Sequence, residues 1–283
     1  MADLPKRPLG KTGLQVSIIG VGGYHIGKDR SVDLGTSIIR TAIDSGINFL
    51  DNAWCYNQGE SERIMGVALG DGYRDRVVLM TKNHGRDAKT FTKQLDESLD
   101  RLRTDFIDVL QLHEIIHDGE PEKIDGEGVL EAAERARDAG KIRHIGFTGH
   151  RWTYLFKEML ALDFDWDTVQ LPTNLLDYHY RSFEEEIIPL LTRRNIGVIG
   201  MKSLAGDGES MLSTGVTAAE AISYALSLPV ATVVSGMDSV QLVEENIRIA
   251  TEYSGLSDGE KDALRAKTAP FAGDGSREKY KTA

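Results

Sequence analysis

The chain has one cysteine, no long apolar run and no excess of positive charge. Cys55 is the only cysteine among 283 residues, so no internal disulfide can form and a reducing compartment is indicated. No apolar stretch approaches the roughly 18 residues of a membrane span. The opening residues MADLPKRPLG lack the apolar core of a signal peptide. We therefore expect a cytoplasmic protein with no membrane partner.

The balance of charge and composition narrows the possible classes further. A formal net charge of −11 argues against a nucleic-acid partner, because non-specific phosphate binding needs a basic face. Apolar residues make up 41% of the chain, which is typical of a well-cored globular protein. No Pro/Ser-rich linker divides it, so we expect one domain over residues 1–283. The polar tail from about residue 271 is expected to be mobile.

Short apolar runs alternate with amphipathic segments of helical length, which is the pattern of repeated βα units. Candidate strands lie at residues 16–19, 47–50, 77–80, 107–112, 142–147, 168–171, 196–200 and 231–234. Candidate helices lie at residues 34–45, 61–69, 91–102, 129–139, 152–162, 183–194, 218–226 and 240–250. Eight units without a long break favour an α/β fold of the (β/α)8 TIM barrel type over a doubly wound open sheet. A β-hairpin around residues 4–14 is expected to precede the barrel.

Local signals support particular boundaries and loops. Thr217 followed by Glu220 forms a capping-box pattern that predicts a helix start. Two loops stand out after the fourth and seventh predicted strands: residues 118–128 are acidic and contain glycine, and residues 205–215 are small and polar. Both would lie over the same face of a barrel, where they could shape a substrate pocket.

Four residues with complementary proton chemistry come at the ends of predicted strands. Asp51, Lys82 and His113 each follow an apolar run, and Tyr56 lies in the loop just after Asp51. In α/β proteins, catalytic groups collect at the carboxyl ends of strands. We therefore expect these four side chains to converge.

The chemistry of the four groups indicates an oxidoreductase. A tyrosine hydroxyl, with an ordinary pKa of about 10, is a weak acid at neutral pH unless its anion is stabilised. The ammonium of Lys82 would stabilise it, and Asp51 would keep that lysine charged. His113 could donate a hydrogen bond to a polarised oxygen. Such a cluster suits reduction of a carbonyl or oxidation of an alcohol. It holds no hydride source, so a nicotinamide cofactor would have to supply the hydride.

These residues also carry a resemblance to the aldo-keto reductases. It rests on DNAWCYNQGESE beginning at Asp51, LQLH ending at His113 and VEEN ending at Asn246. The similarity extends back to RPLGKTGLQVS beginning at Arg7. The resemblance implies a (β/α)8 barrel that binds NADP(H), or in some members NAD(H), in extended form without a Rossmann motif. It implies a small-molecule aldehyde, ketone or alcohol as substrate.

The resemblance assigns roles that agree with the chemistry above. It implies a catalytic tetrad of Asp51, Tyr56, Lys82 and His113. In that tetrad Tyr56 protonates the carbonyl oxygen, Lys82 and Asp51 tune it, and His113 orients the substrate. The oligomeric state is not readable from the sequence.

The resemblance also implies a cofactor groove. Its matching positions are Gly23, Tyr24, Asp51, Thr148, Gly149, Gln170, Met201, Lys202, Ser203, Gly236, Met237, Asp238, Glu245 and Asn246. Those after the first, fifth and sixth strands would contact the nicotinamide amide and ribose. Those between residues 236 and 246 would contact the adenosine end.

Two positions depart from the family pattern. Where many members place an aromatic residue under the nicotinamide ring, this chain has Met201 and Lys202, which must cover that face or reach phosphate. Asp238 lies where the family usually accepts the 2′-phosphate with Ser, Arg or Lys. A carboxylate repels phosphate and can accept hydrogen bonds from ribose hydroxyls. NADP is the expected cofactor, with NAD as a serious alternative.

The same residues admit other interpretations. His113 to His117 spell the zinc-peptidase motif H-E-x-x-H, which requires a helix. The preceding apolar run is strand-like and Pro121 follows closely, so no metal site is expected. Cys55 is assigned to packing. Trp54, His25, His84 and His150 are interpreted as pocket walls or ordinary packing. A nicotinamide-binding redox sensor with little turnover is the alternative function.

Overall fold

The computed structural model describes residues 4–28 and 31–282, and eight parallel strands in it close into a barrel. A hairpin comes first, with strands β1 Lys6–Pro8 and β2 Gln15–Ser17 in antiparallel register. The barrel strands are β3 Ile19–Gly22, β4 Phe49–Asp51, β5 Val78–Asn83, β6 Ile107–Leu112, β7 Ile142–Thr148, β8 Thr168–Pro172, β9 Gly197–Met201 and β10 Thr232–Gly236. Strand β10 pairs with β3 and completes the ring. The predicted (β/α)8 barrel with an N-terminal β-hairpin is confirmed.

Helices connect the strands on the outside of the barrel. The main connecting helices are α1 Tyr24–Gly27, α2 Val32–Asp44, α3 Glu60–Ala68, α4 Ala88–Leu102, α5 Glu120–Gly126, α6 Val129–Asp138, α7 Thr153–Ala161, α8 Phe183–Glu186, α9 Ile188–Arg193, α10 Glu209–Leu212, α11 Ala218–Ser227 and α12 Val240–Glu252. Two more follow the last unit, α13 Asp258–Thr268 and α14 Lys279–Thr282. No described helix is both long and apolar enough to cross a membrane.

Two apolar cores hold the barrel. The larger lies between the strands and the helices, and the smaller fills the barrel interior. The interior core includes Phe49, Met80 and Ile199 from the strands, together with Leu9 and Val16 from the hairpin. The hairpin therefore closes the amino-terminal end of the barrel and leaves the carboxyl end open.

The first barrel strand lies later than predicted. Residues 16–19 were expected to form it, but Val16 and Ser17 pair with β1, and the barrel strand begins at Ile19. Both segments are apolar and buried, so hydrophobicity alone does not separate the hairpin strand from the barrel strand. The boundary is set by pairing with β10.

The predicted helix at residues 183–194 is interrupted. It forms as α8 and α9, with Ile187 between them. Pro189 lies in the first turn of α9, where it lacks the N–H that a continuous helix would need. The loop predicted at residues 118–128 contains helix α5. The capping box of Thr217 and Glu220 forms as expected.

The C-terminal segment, for which the sequence predicted mobility, packs onto the barrel. Lys281 is fully buried and pairs with Asp177 at 2.6 Å and Glu278 at 3.1 Å. The hydroxyl of Tyr280 accepts a hydrogen bond from the side chain of Asn174 at 2.9 Å. These contacts hold the segment against the loop that follows β8.

Candidate active site

The carboxyl end of the barrel brings the four predicted proton-handling side chains together. Asp51 ends β4, Lys82 lies in β5, and His113 directly follows β6. Tyr56 begins a short 3-10 helix, Tyr56–Gly59, in the loop after β4. Its hydroxyl lies 3.2 Å from the Lys82 ammonium, and its ring centre is 5.7 Å from that of His113.

Lys82 is fixed by acceptors on two sides. Its ammonium donates to the carboxylate of Asp51 and, at 2.7 Å, to the carbonyl oxygen of Asn52. The other carboxylate oxygen of Asp51 accepts from the Gln170 amide at 3.1 Å. Burial disfavours the charged form of Lys82, but Asp51 and Tyr56 outweigh it and raise the pKa of the lysine. Lys82 therefore stays an ammonium with one donor aimed at Tyr56.

The Tyr56 hydroxyl is a weaker acid in this site than a free tyrosine. Part of its ring faces the cleft, yet protein surrounds the hydroxyl, and burial raises its pKa to about 12. The nearby Lys82 ammonium opposes that shift without reversing it. The cation that the sequence indicates is the smaller effect, and desolvation is the larger one. Tyr56 is therefore a neutral phenol at neutral pH, so it can donate a proton.

His113 is an uncharged imidazole. Burial, followed by the positive charge of Lys82, holds its pKa well below the usual value for histidine. Its Nδ1 lies 3.6 Å from the sulfur of Cys55. A neutral imidazole carries a single N–H, so His113 can offer one directed hydrogen bond to a substrate oxygen.

These side chains lie at the floor of a cleft of about 680 Å³, a volume within the range of small-molecule and cofactor sites. The predicted residues that line it are Tyr24, Asp51, Tyr56, His113, Thr148, Met201, Lys202, Ser203 and Gly236. The cleft therefore runs from β3 and β4 across the barrel end to β9 and β10.

Several residues that were predicted to bind the cofactor do not line the cleft. Gly23, Gly149 and Gln170 are buried beneath it, as is the catalytic candidate Lys82. Met237 is fully buried in the apolar core, so its side chain does not face the cleft. Asp238 is half-buried just before α12, Glu245 is exposed on that helix, and Asn246 is buried with its amide donating to the Leu242 carbonyl at 2.7 Å.

Sequence reasoning missed other lining residues. Lys28, Glu114, Asp207 and Ser235 face the cleft and were not predicted. Ser235 lies in a strand that runs two residues past its apolar run, a shift that sequence reasoning did not anticipate. The loop at 205–215, expected to shape a pocket, contributes Asp207 and its glycine neighbours. His25 and His150, interpreted as pocket walls or packing, are pocket walls.

The H-E-x-x-H segment is not helical, which agrees with the expectation from the sequence. It follows β6 as an irregular loop in which Glu114 has a positive φ of 53°. His117 is exposed, and its backbone N–H donates to the Glu120 carboxylate at 2.8 Å. The two histidines therefore do not present one helical face to a metal.

The buried groups fit a nicotinamide carboxamide. The Oε1 atom of Gln170 is buried and has no hydrogen-bond partner among the described residues, while the amide nitrogen of the same side chain holds Asp51. A buried acceptor left unpaired is costly. A carboxamide N–H is a group that would satisfy it.

The cleft carries charges of both signs, with two lysines beside the carboxylates of Asp51, Glu114 and Asp207. Lys28 and Lys202 both line it. Lys202 has a left-handed backbone with φ of 56°, and burial lowers the pKa of its ammonium. These two cations are the local basic residues that an anionic cofactor requires.

Three comparisons with known proteins bear on this barrel and cleft. A model of the Aldo/keto reductase family matches residues 18–214. The aldo-keto reductase YhdN of Bacillus subtilis is 34% identical over 196 residues, which cover 63% of this chain and 55% of that protein. The L-galactose dehydrogenase of Arabidopsis thaliana is 30% identical over 302 residues, or 90% of this chain and 91% of that protein.

A solved structure supports the fold alone. The aldo-keto reductase AKR11C1 from Bacillus halodurans, in its holo form, is similar with a TM-score of 0.77 at 24% identity. The similarity covers 93% of this chain and 96% of that one. With the family model spanning most of the barrel and a 30% identical relative aligned along 90% of the chain, this protein belongs to the aldo/keto reductase family of oxidoreductases.

Proposed function

We propose that the protein transfers hydride between a nicotinamide cofactor and a small carbonyl or alcohol substrate, with Tyr56 as the general acid or base. The observation that carries the proposal is the 3.2 Å contact between the Lys82 ammonium and the Tyr56 hydroxyl at the floor of the cleft. A phenol held by a buried cation can give up its proton to a developing alkoxide at low cost.

Each residue of the cluster has one task. Tyr56 donates its proton to the carbonyl oxygen as charge develops there. The Lys82 ammonium stabilises the resulting tyrosinate, and Asp51 keeps the ammonium in place. His113, as a neutral imidazole, donates a hydrogen bond that fixes the carbonyl orientation. When bound, the nicotinamide supplies or accepts the hydride.

The cofactor would lie along the cleft from the barrel floor to β10. Gln170 and Thr148 would meet the carboxamide end, because the two residues pair on neighbouring strands and Gln170 bonds to Asp51. Lys202 and Ser203 would meet the phosphates. Met201 also lines the cleft and would cover one face of the nicotinamide ring, since no aromatic side chain stands at that position.

The deciding experiment is a fluorescence titration of the purified protein with NADPH and with NADH, followed by turnover on a panel of aldehydes and ketones. We expect saturable binding of at least one cofactor. In Tyr56→Phe, turnover should fall by on the order of 10³-fold or more while cofactor affinity changes little, because the hydroxyl acts mainly in the transition state.

The matched control is Tyr73→Phe, which removes a hydroxyl that contacts Asp44 at the other end of the barrel. It should leave turnover unchanged. Failure to bind either cofactor would refute the proposed function. Tight cofactor binding with negligible wild-type turnover on every substrate would favour the redox-sensor alternative.

The same titration tests cofactor preference. Asp238 lies just before α12, at the position matched to the adenosine end. Its carboxylate would repel a 2′-phosphate and accept from a ribose hydroxyl. We expect Asp238→Ser to raise the affinity for NADPH relative to NADH by about tenfold. Asp105→Ser, an exposed change before β6 at the opposite barrel end, should leave the ratio unchanged. An unaltered ratio in Asp238→Ser would remove Asp238 from the adenosine site.

A further inference from the structure

Next to Tyr56 lies a cluster of potential metal ligands, of which only the His113 ring also takes part in the proposed reaction. The sulfur of Cys55 is 3.2 Å from Nε2 of His84 and 3.6 Å from Nδ1 of His113. All three potential ligand atoms lie within 4.8 Å of one another. Three separate loops, after β4, β5 and β6, bring them to this point.

Two of the three ligand–ligand distances match a tetrahedral metal site. Zinc binds thiolate at about 2.3 Å and imidazole nitrogen at about 2.0–2.1 Å, so sulfur and nitrogen ligands in a tetrahedron lie roughly 3.5 Å apart. The two sulfur–nitrogen distances here bracket that value. The ring centres of His84 and His113 are 4.4 Å apart. His84 keeps 28% of its side chain exposed, and a tilt of its ring toward His113 would complete the third edge.

We propose that Cys55, His84 and His113 bind a single thiophilic divalent cation, with Zn²⁺ as the preferred ion. Cys/His/His is a ligand set that suits zinc, since thiolate and imidazole are its favoured donors. The site differs from the H-E-x-x-H motif, because it uses neither His117 nor a helix. It also departs from the expectation that the chain holds no metal.

A fourth ligand is within reach on the cleft side. The carboxylate of Glu114 lies 3.8 Å from Nε2 of His84, and both Glu114 and His113 line the cleft. The metal enters from the cleft and takes this carboxylate or a water molecule as its fourth ligand. Binding replaces the proton on the Cys55 sulfur, which leaves to solvent as the metal–sulfur bond forms.

The metal would fix the state of the catalytic histidine candidate. Nδ1 of His113 faces the sulfur, so a metal bound there leaves the ring proton on Nε2. His113 would then offer that N–H alone to a substrate. The site therefore links metal occupancy to the hydrogen bond that orients a carbonyl oxygen.

The test is a Co²⁺ titration of the tag-free protein after treatment with a chelator and desalting. We expect one equivalent to bind, with a near-ultraviolet thiolate-to-cobalt charge-transfer band and intense visible bands of a four-coordinate ion. Zn²⁺ should then displace the cobalt and bleach the spectrum. No cofactor or substrate is present, so the result is independent of the proposed oxidoreductase function.

Three variants locate the site. Cys55→Ser should remove the charge-transfer band and weaken Zn²⁺ binding by on the order of 100-fold, and His84→Gln should weaken it by at least about tenfold. His117→Gln, the control, should bind like the wild type. Circular dichroism checks that each variant is folded. Absence of the sulfur band in the wild type would overturn the proposal. Zn²⁺ affinity that is unchanged in both Cys55→Ser and His84→Gln, or lost only in His117→Gln, would also overturn it.

Discussion

Around the cleft, burial sets the protonation state of individual side chains. Desolvation disfavours charge on Tyr56, His113 and His150 alike, and the nearby lysine cations add to that effect for the histidines. Lys82 is the exception, because Asp51 lies against it. Lys82 is therefore a fixed cation beside a neutral phenol and a neutral imidazole, which is the arrangement that a general acid needs.

His150 should make stability depend on pH. Burial, with Lys202 and Arg151 nearby, lowers its pKa to about 3, whereas the unfolded chain has a histidine pKa of about 6.5. The unfolded state therefore binds the proton more readily, and stability present above pH 6.5 is lost as the pH falls toward 3. Between pH 7 and pH 5 this group alone should cost the folded state about 2 kcal/mol.

Urea unfolding at pH 7 and pH 5 measures this effect. His150→Gln should reduce the loss of unfolding free energy between the two pH values by that amount. His117→Gln alters an exposed histidine and should leave the loss unchanged. An equal pH-dependent loss in His150→Gln and the wild type would show that His150 titrates normally in the folded protein.

The sequence predicted that the four side chains converge, but it did not predict their pKa values. Asp51, Lys82 and His113 follow apolar runs in the sequence, so their convergence could be foreseen. The net effect on the pKa of Tyr56 could not, since it depends on how much protein surrounds the hydroxyl. The cluster of Cys55, His84 and His113 was likewise hidden, because three separate loops supply it.

Among the secondary-structure elements, helix α3 lies very close to α4. A Cβ atom added to Gly66 would lie 2.3 Å from the carbonyl oxygen of Arg101 and 2.9 Å from the carbonyl carbon of Leu102. The two helices flank β5, which carries Lys82. Their contact at a glycine therefore helps to set the position of the strand that holds Lys82.

Gly66→Ala should destabilise the protein by roughly 2 kcal/mol, because the methyl group meets backbone that cannot yield without moving α4. Thermal unfolding should show a lower midpoint. Gly126→Ala is the matched control, since an added Cβ there meets nothing within 4 Å. Equal midpoints for the two variants would mean that α3 and α4 can separate without cost.

Element order was predictable while element ends were not. Apolar periodicity gave eight βα units, yet most barrel strands end one to three residues beyond the apolar run, as β5 does at Asn83. Polar residues such as Asp51 and Lys82 continue the strands because their charges pair inside the barrel end. Such charge pairing depends on residues from distant parts of the chain, so the apolar pattern of one segment does not show where its strand ends.

Across the whole molecule, the C-terminal segment is anchored by buried charge. Lys281 lies between Asp177 and Glu278 with no exposed surface. Tyr280 packs edge-on against His150 at 5.7 Å between ring centres, and the Lys202 ammonium lies 5.1 Å from its ring. The segment therefore backs one wall of the cleft.

Lys281→Ala should release this segment and destabilise the protein by about 3–5 kcal/mol, because it leaves two buried carboxylates without their cation. Limited proteolysis should then cut the chain after residue 271, and the thermal midpoint should fall. Lys279→Ala removes only an exposed pair with Asp207 and should cost less than about 1 kcal/mol. Wild-type resistance to protease in Lys281→Ala would show that other contacts hold the segment.

The pairing of β10 with β3 has a consequence for how the protein is made. The ring closes only when the first and last barrel strands pair. During synthesis, Asp51, Lys82 and His113 are therefore made well before the strand that closes the barrel. Until residues 232–236 leave the ribosome, β3 and β9 present open strand edges that invite pairing with other chains. A chain arrested after His113 but before β10 would carry Asp51, Tyr56, Lys82 and His113 yet have no closed barrel end to hold them.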